Sequence, residues 1–288
     1  MIKGLGTALI TPFQADGSVD YEALARLLDT QLTGYVDYIV VLGTTGEAAT
    51  MTDKERAEVR SFVRSYVNGR LPLVLGLGGN CTAAVCEALR NTDLSGFCAI
   101  LSVCPYYNKP NQEGLYQHFC AVAEASPIPV ILYNVPGRTG VNLLPETVMR
   151  IYNARPDKII GIKEASGNVE QIKDLICRKS KVESQKQFLV ISGDDGIACE
   201  LMEAGAAGLI SVASNAFPED FWHIVHDKDA ALQAKYAEMI KLLFAEGNPV
   251  GIKAVLAQKG LITNSLRLPL VPASPSLQEK ILSLLRVL

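Results

Sequence analysis

The chain has 288 residues, 49% apolar and 20% charged, and its 27 basic and 30 acidic side chains leave a net charge of −3. That balance suits a soluble globular enzyme with a substantial core and argues against nucleic acid or an anionic membrane as the main partner. Seven cysteines without a CxxC pair, and three histidines, make a zinc site an unlikely design.

Scattered free thiols, and an apolar N-terminus too short and wrongly ended for a secretory leader, lead us to expect a cytoplasmic protein. The apolar stretches fall short of the ~18–20 residues that span a bilayer.

In chain order, short apolar runs begin near Leu5, Tyr38, Leu73, Phe97, Pro129, Ile159, Phe188 and Gly208. Each has the length of a strand buried on both faces. Between them the apolar spacing becomes helical, as in Tyr21-Leu24-Leu27-Leu28 and Val169-Ile172-Leu175-Ile176. Thr52-Asp53-Lys54-Glu55 reads as a capped helix start, and Pro249 after Gly247-Asn248 as a helix stop and restart. Eight strand–helix units predict an α/β protein with a closed (β/α)8 TIM barrel over residues 1–220. Beyond Phe217 the pattern stays helical, so residues 221–288 are expected to form a C-terminal helical extension packed on the barrel. A doubly wound open sheet is the alternative, but no GxGxxG opens the first βα turn.

In such a barrel the chemistry sits where strands end. The second run is followed by Gly43-Thr44-Thr45-Gly46-Glu47, whose small residues and hydroxyls suit a carboxylate, although an ordinary glycine-rich turn reads the same way. After the fourth run comes Cys104-Pro105-Tyr106-Tyr107-Asn108-Lys109-Pro110; paired tyrosines between prolines are more often packing residues. The fifth leads into Tyr133-Asn134-Val135-Pro136-Gly137-Arg138-Thr139-Gly140, with a tyrosine that can relay a proton and an arginine that can hold a carboxylate. The sixth ends at Lys163, before Glu164-Ala165-Ser166-Gly167. An amine above an apolar floor can attack a carbonyl, although most strand-end lysines are solvated surface charges. After the seventh, Ser192-Gly193-Asp194-Asp195 also fits a helix N-cap. Together, lysine, tyrosine, hydroxyl-rich turn and arginine describe a site for a keto acid.

Three of these motifs, Gly43–Glu47, Tyr133–Thr139 and Gly161–Gly167, resemble the pyruvate-dependent Schiff-base class I aldolases of the N-acetylneuraminate lyase superfamily. The resemblance covers the whole chain. Arg138 brings it nearest to the members that condense pyruvate with L-aspartate 4-semialdehyde to 4-hydroxy-tetrahydrodipicolinate, the committed step of the diaminopimelate route to lysine. It implies a lyase in which Lys163 forms an imine with pyruvate, with no cofactor and no metal. Tyr133, Thr44 and Tyr107 would relay protons, Tyr107 from a neighbouring subunit. Thr45 would hold the pyruvate carboxylate and Arg138 that of the semialdehyde, with Gly193 and the Ile210 carbonyl lining the pyruvate side. A homotetramer of two tight dimers is implied. The positions that bind inhibitory lysine in sensitive members match Ala49, Asp53, Arg56, Gly78, Asn80, Ala84 and Tyr106. Sensitive members usually carry glutamate at the place of Ala84 and often histidine at that of Arg56, so lysine is expected to inhibit weakly or not at all.

Other readings are a sugar-acid or sialic-acid lyase, which Arg138 disfavours, and a catalytically dead keto-acid sensor, which the full set Thr44, Tyr107, Tyr133 and Lys163 disfavours. A metal-dependent aldolase would want more histidines.

Overall fold

The computed structural model describes residues 2–180 and 188–288. Eight parallel strands follow one another in chain order round a closed barrel: β1 (Gly4–Ala8), β2 (Tyr38–Val41), β3 (Leu73–Gly76), β4 (Ala99–Val103), β5 (Val130–Asn134), β6 (Ile159–Glu164), β7 (Leu189–Ser192) and β8 (Gly208–Ser211). The expected (β/α)8 TIM barrel is therefore present. Each strand begins at or within two residues of its apolar run. The helices are α1 (Tyr21–Gln31), α2 (Asp53–Val67), α3 (Thr82–Asn91), α4 (Gln112–Ala125), α5 (Pro136–Thr139), α6 (Pro145–Ala154), α7 (Val169–Ser180), α8 (Ala198–Glu203), α9 (Pro218–His226), α10 (Ala230–Phe244), α11 (Val250–Gln258) and α12 (Pro275–Leu285). Among the described residues, no helix is long and apolar enough to cross a membrane.

Internal packing divides the chain into two compact units, Met1–Pro72 with Ser211–Leu288, and Leu73–Ile210. In the first, β1 pairs with β2 so that Gly6 faces Tyr38. A Cβ on Gly6 would lie 2.2 Å from the buried Tyr38 ring, so only glycine fits. Helix α1 buries Leu24, Leu27 and Leu28 and starts on Asp20, whose side chain accepts the Ala23 N–H at 2.9 Å. Helix α2 begins with the expected capping box: Thr52 Oγ1 accepts the Glu55 N–H at 3.2 Å, and Glu55 Oε2 accepts the Thr52 N–H at 2.9 Å.

The C-terminal region departs from expectation in one respect. Helix α9 packs on β1 and helices α10, α11 and α12 on one another, with Pro249 just before α11 as predicted. Residues 259–274, however, form no helix. Pro269 and Pro272 remove backbone donors there, and charge fixes the segment instead. Arg267 donates to the Gly17 carbonyl at 2.6 and 2.8 Å, to the Thr50 carbonyl at 3.1 Å, and to Glu55 at 2.9 Å. Nearby, the fully buried Lys253 ion-pairs with Glu47 and donates to the Ser265 carbonyl at 3.0 Å. Both cations lie over the Phe13 ring, Lys253 Nζ at 4.2 Å and Arg267 Cζ at 4.4 Å from its centroid.

In the second unit, β5 and β6 align Tyr133 with Lys163 and Asn134 with Glu164, while β7 sets Ile191 beside Lys163 and Ser192 beside Glu164. Helix α4 packs on α3 and α6, and α6 on α7.

The Arg267 clamp gives a stability prediction with a definite sign. The Arg267 hydrogen bond, with those from Thr52, holds the Glu55 carboxyl at about 2, below its ordinary 4.5. A carboxylate depressed on folding stabilises the fold above its unfolded pKa and loses that contribution as pH falls through the folded one. Arg267→Gln should cost about 2–4 kcal/mol at neutral pH. In urea titrations its deficit against the parent should narrow from pH 5 towards pH 2; a deficit that grows on acidification contradicts the clamp.

Candidate active site

Lys163 is the next-to-last residue of β6 and is buried, with 6% of its surface exposed. Its Nζ lies 4.6 Å from the centroid of the Tyr133 ring, its register partner on β5. Among the described residues, Nζ has no hydrogen-bond acceptor or ion-pair partner. The space beside it exists because residue 193 is glycine: a Cβ there would stand 2.8 Å from Lys163 Cε and 2.6 Å from Ala165 Cβ. A buried amine thus faces an aromatic ring on one strand and a missing side chain beyond the next. Such an amine is available to a carbonyl compound.

Ile210, expected to offer its carbonyl, is buried in β8. Arg138 and Tyr107 lie on exposed segments of the same unit. Arg138 belongs to the single-turn α5 directly after β5. Tyr107 is 89% exposed and adopts φ +74°, a left-handed conformation unusual for a tyrosine. Its N–H donates to the Thr139 carbonyl at 3.4 Å, tying the two segments together.

The other unit contributes the turn after β2. Thr45 is buried, and its Oγ1 accepts from Asn248 Nδ2 at 2.9 Å; Thr44 is half-buried. Turn hydrogen bonds from Gly46 N–H to the Gly43 carbonyl and from Glu47 N–H to the Thr44 carbonyl, both 3.1 Å, close the loop. Glu47 then takes φ +52° and is fixed there by Lys253 and by the Arg267 N–H, which Glu47 Oε2 accepts at 3.2 Å.

The positions matched to lysine inhibition are also divided. In the first unit, Ala49 and Asp53 are exposed, and the Arg56 guanidinium pairs with Asp53 while donating to the Ala48 and Met51 carbonyls at 3.0 and 2.8 Å. In the second, Gly78, Ala84 and Tyr106 are exposed, and the Asn80 carbonyl accepts from Asn108 Nδ2 at 3.2 Å.

Motif reading left several residues without a role. Glu164 and Asn134 stood inside the quoted motifs, and Glu47 closed the threonine turn. Burial raises the Glu164 carboxyl above its usual range, against the hydrogen bonds from Asn134, Ser166 and Gln171 that pull it down. Beside them, burial also pushes the Cys104 thiol up and keeps it protonated. Lys253 had a usable signal: it is a lone charge in the apolar run Val250-Gly251-Ile252-Lys253-Ala254-Val255-Leu256.

Comparison with known proteins agrees with this geometry. The model of the dihydrodipicolinate synthetase family matches residues 1–288. A curated 4-hydroxy-tetrahydrodipicolinate synthase of Parabacteroides distasonis is 51% identical, covering 100% of this chain and 97% of its own. The solved dihydrodipicolinate synthase of Thermotoga maritima superposes with a TM-score of 0.94 at 39% identity, covering 100% of this chain and 98% of its own. A solved monomeric dihydrodipicolinate synthase variant gives 0.93 at 40% identity, covering 99% and 96%. With barrel, motifs and full-length similarity in agreement, the chain belongs to the dihydrodipicolinate synthetase family.

Proposed function

We propose that the chain is a lyase that condenses pyruvate with L-aspartate 4-semialdehyde to 4-hydroxy-tetrahydrodipicolinate, through an imine on Lys163. The observation that carries this reading is the buried Lys163 amine, unpaired among the described residues and facing Tyr133, in a family whose curated relatives are named for that product. The Lys163 Nζ lone pair attacks the C2 carbonyl of pyruvate, and loss of water gives the imine. The imine draws electrons from C3, so a methyl proton leaves and an enamine forms. Enamine C3 then bonds to the aldehyde carbon of the semialdehyde. The semialdehyde's own amino group attacks the imine carbon, closes the ring and releases Lys163 as the free amine.

The remaining roles follow the chemistry of the side chains. Tyr133, Thr44 and Tyr107 carry protons for water loss and for the aldehyde oxygen. Thr45 donates to the pyruvate carboxylate; its Oγ1 already accepts one bond from Asn248 and keeps its hydroxyl proton to give the substrate. Arg138 takes the semialdehyde carboxylate. Gly193 and the Ile210 carbonyl flank pyruvate. Each electron shift runs through the imine, so the reaction calls for no cofactor and no metal. The enzyme works in the cytoplasm as a homotetramer of two tight dimers, where the exposed Tyr107 enters the neighbouring subunit's site. A monomeric relative shares this fold, so the fold alone does not require assembly.

Three outcomes test the reading. Purified enzyme should turn over pyruvate with aspartate semialdehyde and leave sialic acid untouched; cleavage of sialic acid alone would replace the substrate assignment. Tyr107→Phe should lower kcat about a hundredfold or more while pyruvate KM stays within about threefold; parental kcat removes Tyr107 from the relay. L-Lysine should inhibit weakly or not at all, because Arg56 already engages Asp53 and Ala84 offers no anion for an ammonium ligand. Half-inhibition at micromolar lysine overturns that expectation.

A further inference from the structure

Glu164 directly follows Lys163, so strand geometry sends the two side chains to opposite faces of β6. Its carboxylate is fully buried, and three neutral residues hold it. Asn134 Nδ2 donates to both oxygens at 2.9 and 3.2 Å, the Ser166 N–H to Oε1 at 2.8 Å, and Gln171 Nε2 to Oε2 at 3.1 Å. The same amides reach further. Asn134 Nδ2 also donates to Asn142 Oδ1 at 2.7 Å, and Asn134 Oδ1 accepts the Leu143 N–H at 2.9 Å. Asn142 and Gln171 exchange paired amide bonds of 2.8 and 3.1 Å. Gln112 closes the far side, donating to the Asn142 carbonyl at 2.8 Å and accepting the Leu144 N–H at 3.2 Å.

The segment between Asn134 and Asn142 carries Arg138; its first end is fastened to the carboxylate through Asn134, and its last, through Asn142, to the Asn134 and Gln171 amides that hold that carboxylate. We propose that Glu164 is a positioning residue for the second substrate: it holds the Arg138 loop in register with the strand end that carries Lys163. This rests on the roles given above to Lys163 and Arg138. An ionised carboxylate costs more to bury than a neutral amide of the same shape. What it supplies is acceptor capacity without any donor, which three converging donor residues require. A residue that only stabilised the fold would lower both substrates' steps together. A residue that sets the arginine loop separates them.

The test is Glu164→Gln, which keeps the shape and turns one acceptor into a donor aimed at donors. Three quantities are read: borohydride-trapped pyruvate adduct by intact mass, pyruvate KM and semialdehyde KM. The adduct yield and pyruvate KM should stay near parental, while semialdehyde KM rises about tenfold or more. Asn142→Ala should show the same split, and the double variant should fall short of the product of the two effects. If Glu164→Gln does not fold, Asn142→Ala and Gln171→Ala decide by the same split. Parental semialdehyde KM in the folded variants, or equal loss of adduct and turnover, overturns the proposal. A parent enzyme that forms no adduct removes the Lys163 reading itself and is thereby distinguished from failure of the Glu164 role.

Discussion

A lysine buried without a hydrogen-bonding or charged partner among the described residues is the constraint on which the site depends. Removing an amine from water is unfavourable unless its surroundings compensate. At Lys163 the compensation is the face of Tyr133 and a position at the end of a fully paired strand. Register does the rest. Because β5 and β6 align Tyr133 with Lys163, the ring needs no loop to bring it to the amine. Because residue 193 has no side chain, the lysine is not crowded from that side.

The second buried lysine shows that burial alone does not make a nucleophile. Burial lowers Lys253 to about 8, with Glu47 pulling the other way. Yet its Nζ is committed to Glu47 and to the Ser265 carbonyl. That ion pair fixes a left-handed Glu47 and with it the turn that presents Thr44 and Thr45. One lysine faces an aromatic ring with no acceptor among the described residues, and the other holds the backbone of a turn. Their neighbours separate the two roles.

Much of this was legible from spacing. Strand starts, the Thr52–Glu55 capping box and the restart at Pro249 depend on residues within a few positions of one another, and local pattern records such contacts. Glycine 193 could be seen, but its reason could not, since the close approach is to a side chain on another strand. The irregular stretch before α12 was misread as helical because its anchor is distant: Arg267 meets Glu55 across 212 positions. The Glu164 cage was hidden for a related reason. The amides on the carboxylate come from β5 and α7, with Asn142 after α5 bridging the two, and only the folded chain brings them together.

The claim at the centre is that Lys163 is the amine that forms the covalent bond. Borohydride reduction in the presence of pyruvate, followed by peptide mass mapping, tests it most directly. The account predicts a single reduced pyruvate adduct on the peptide containing Lys163 and concurrent loss of turnover. An adduct on another lysine, or full activity after reduction with no adduct, would contradict it.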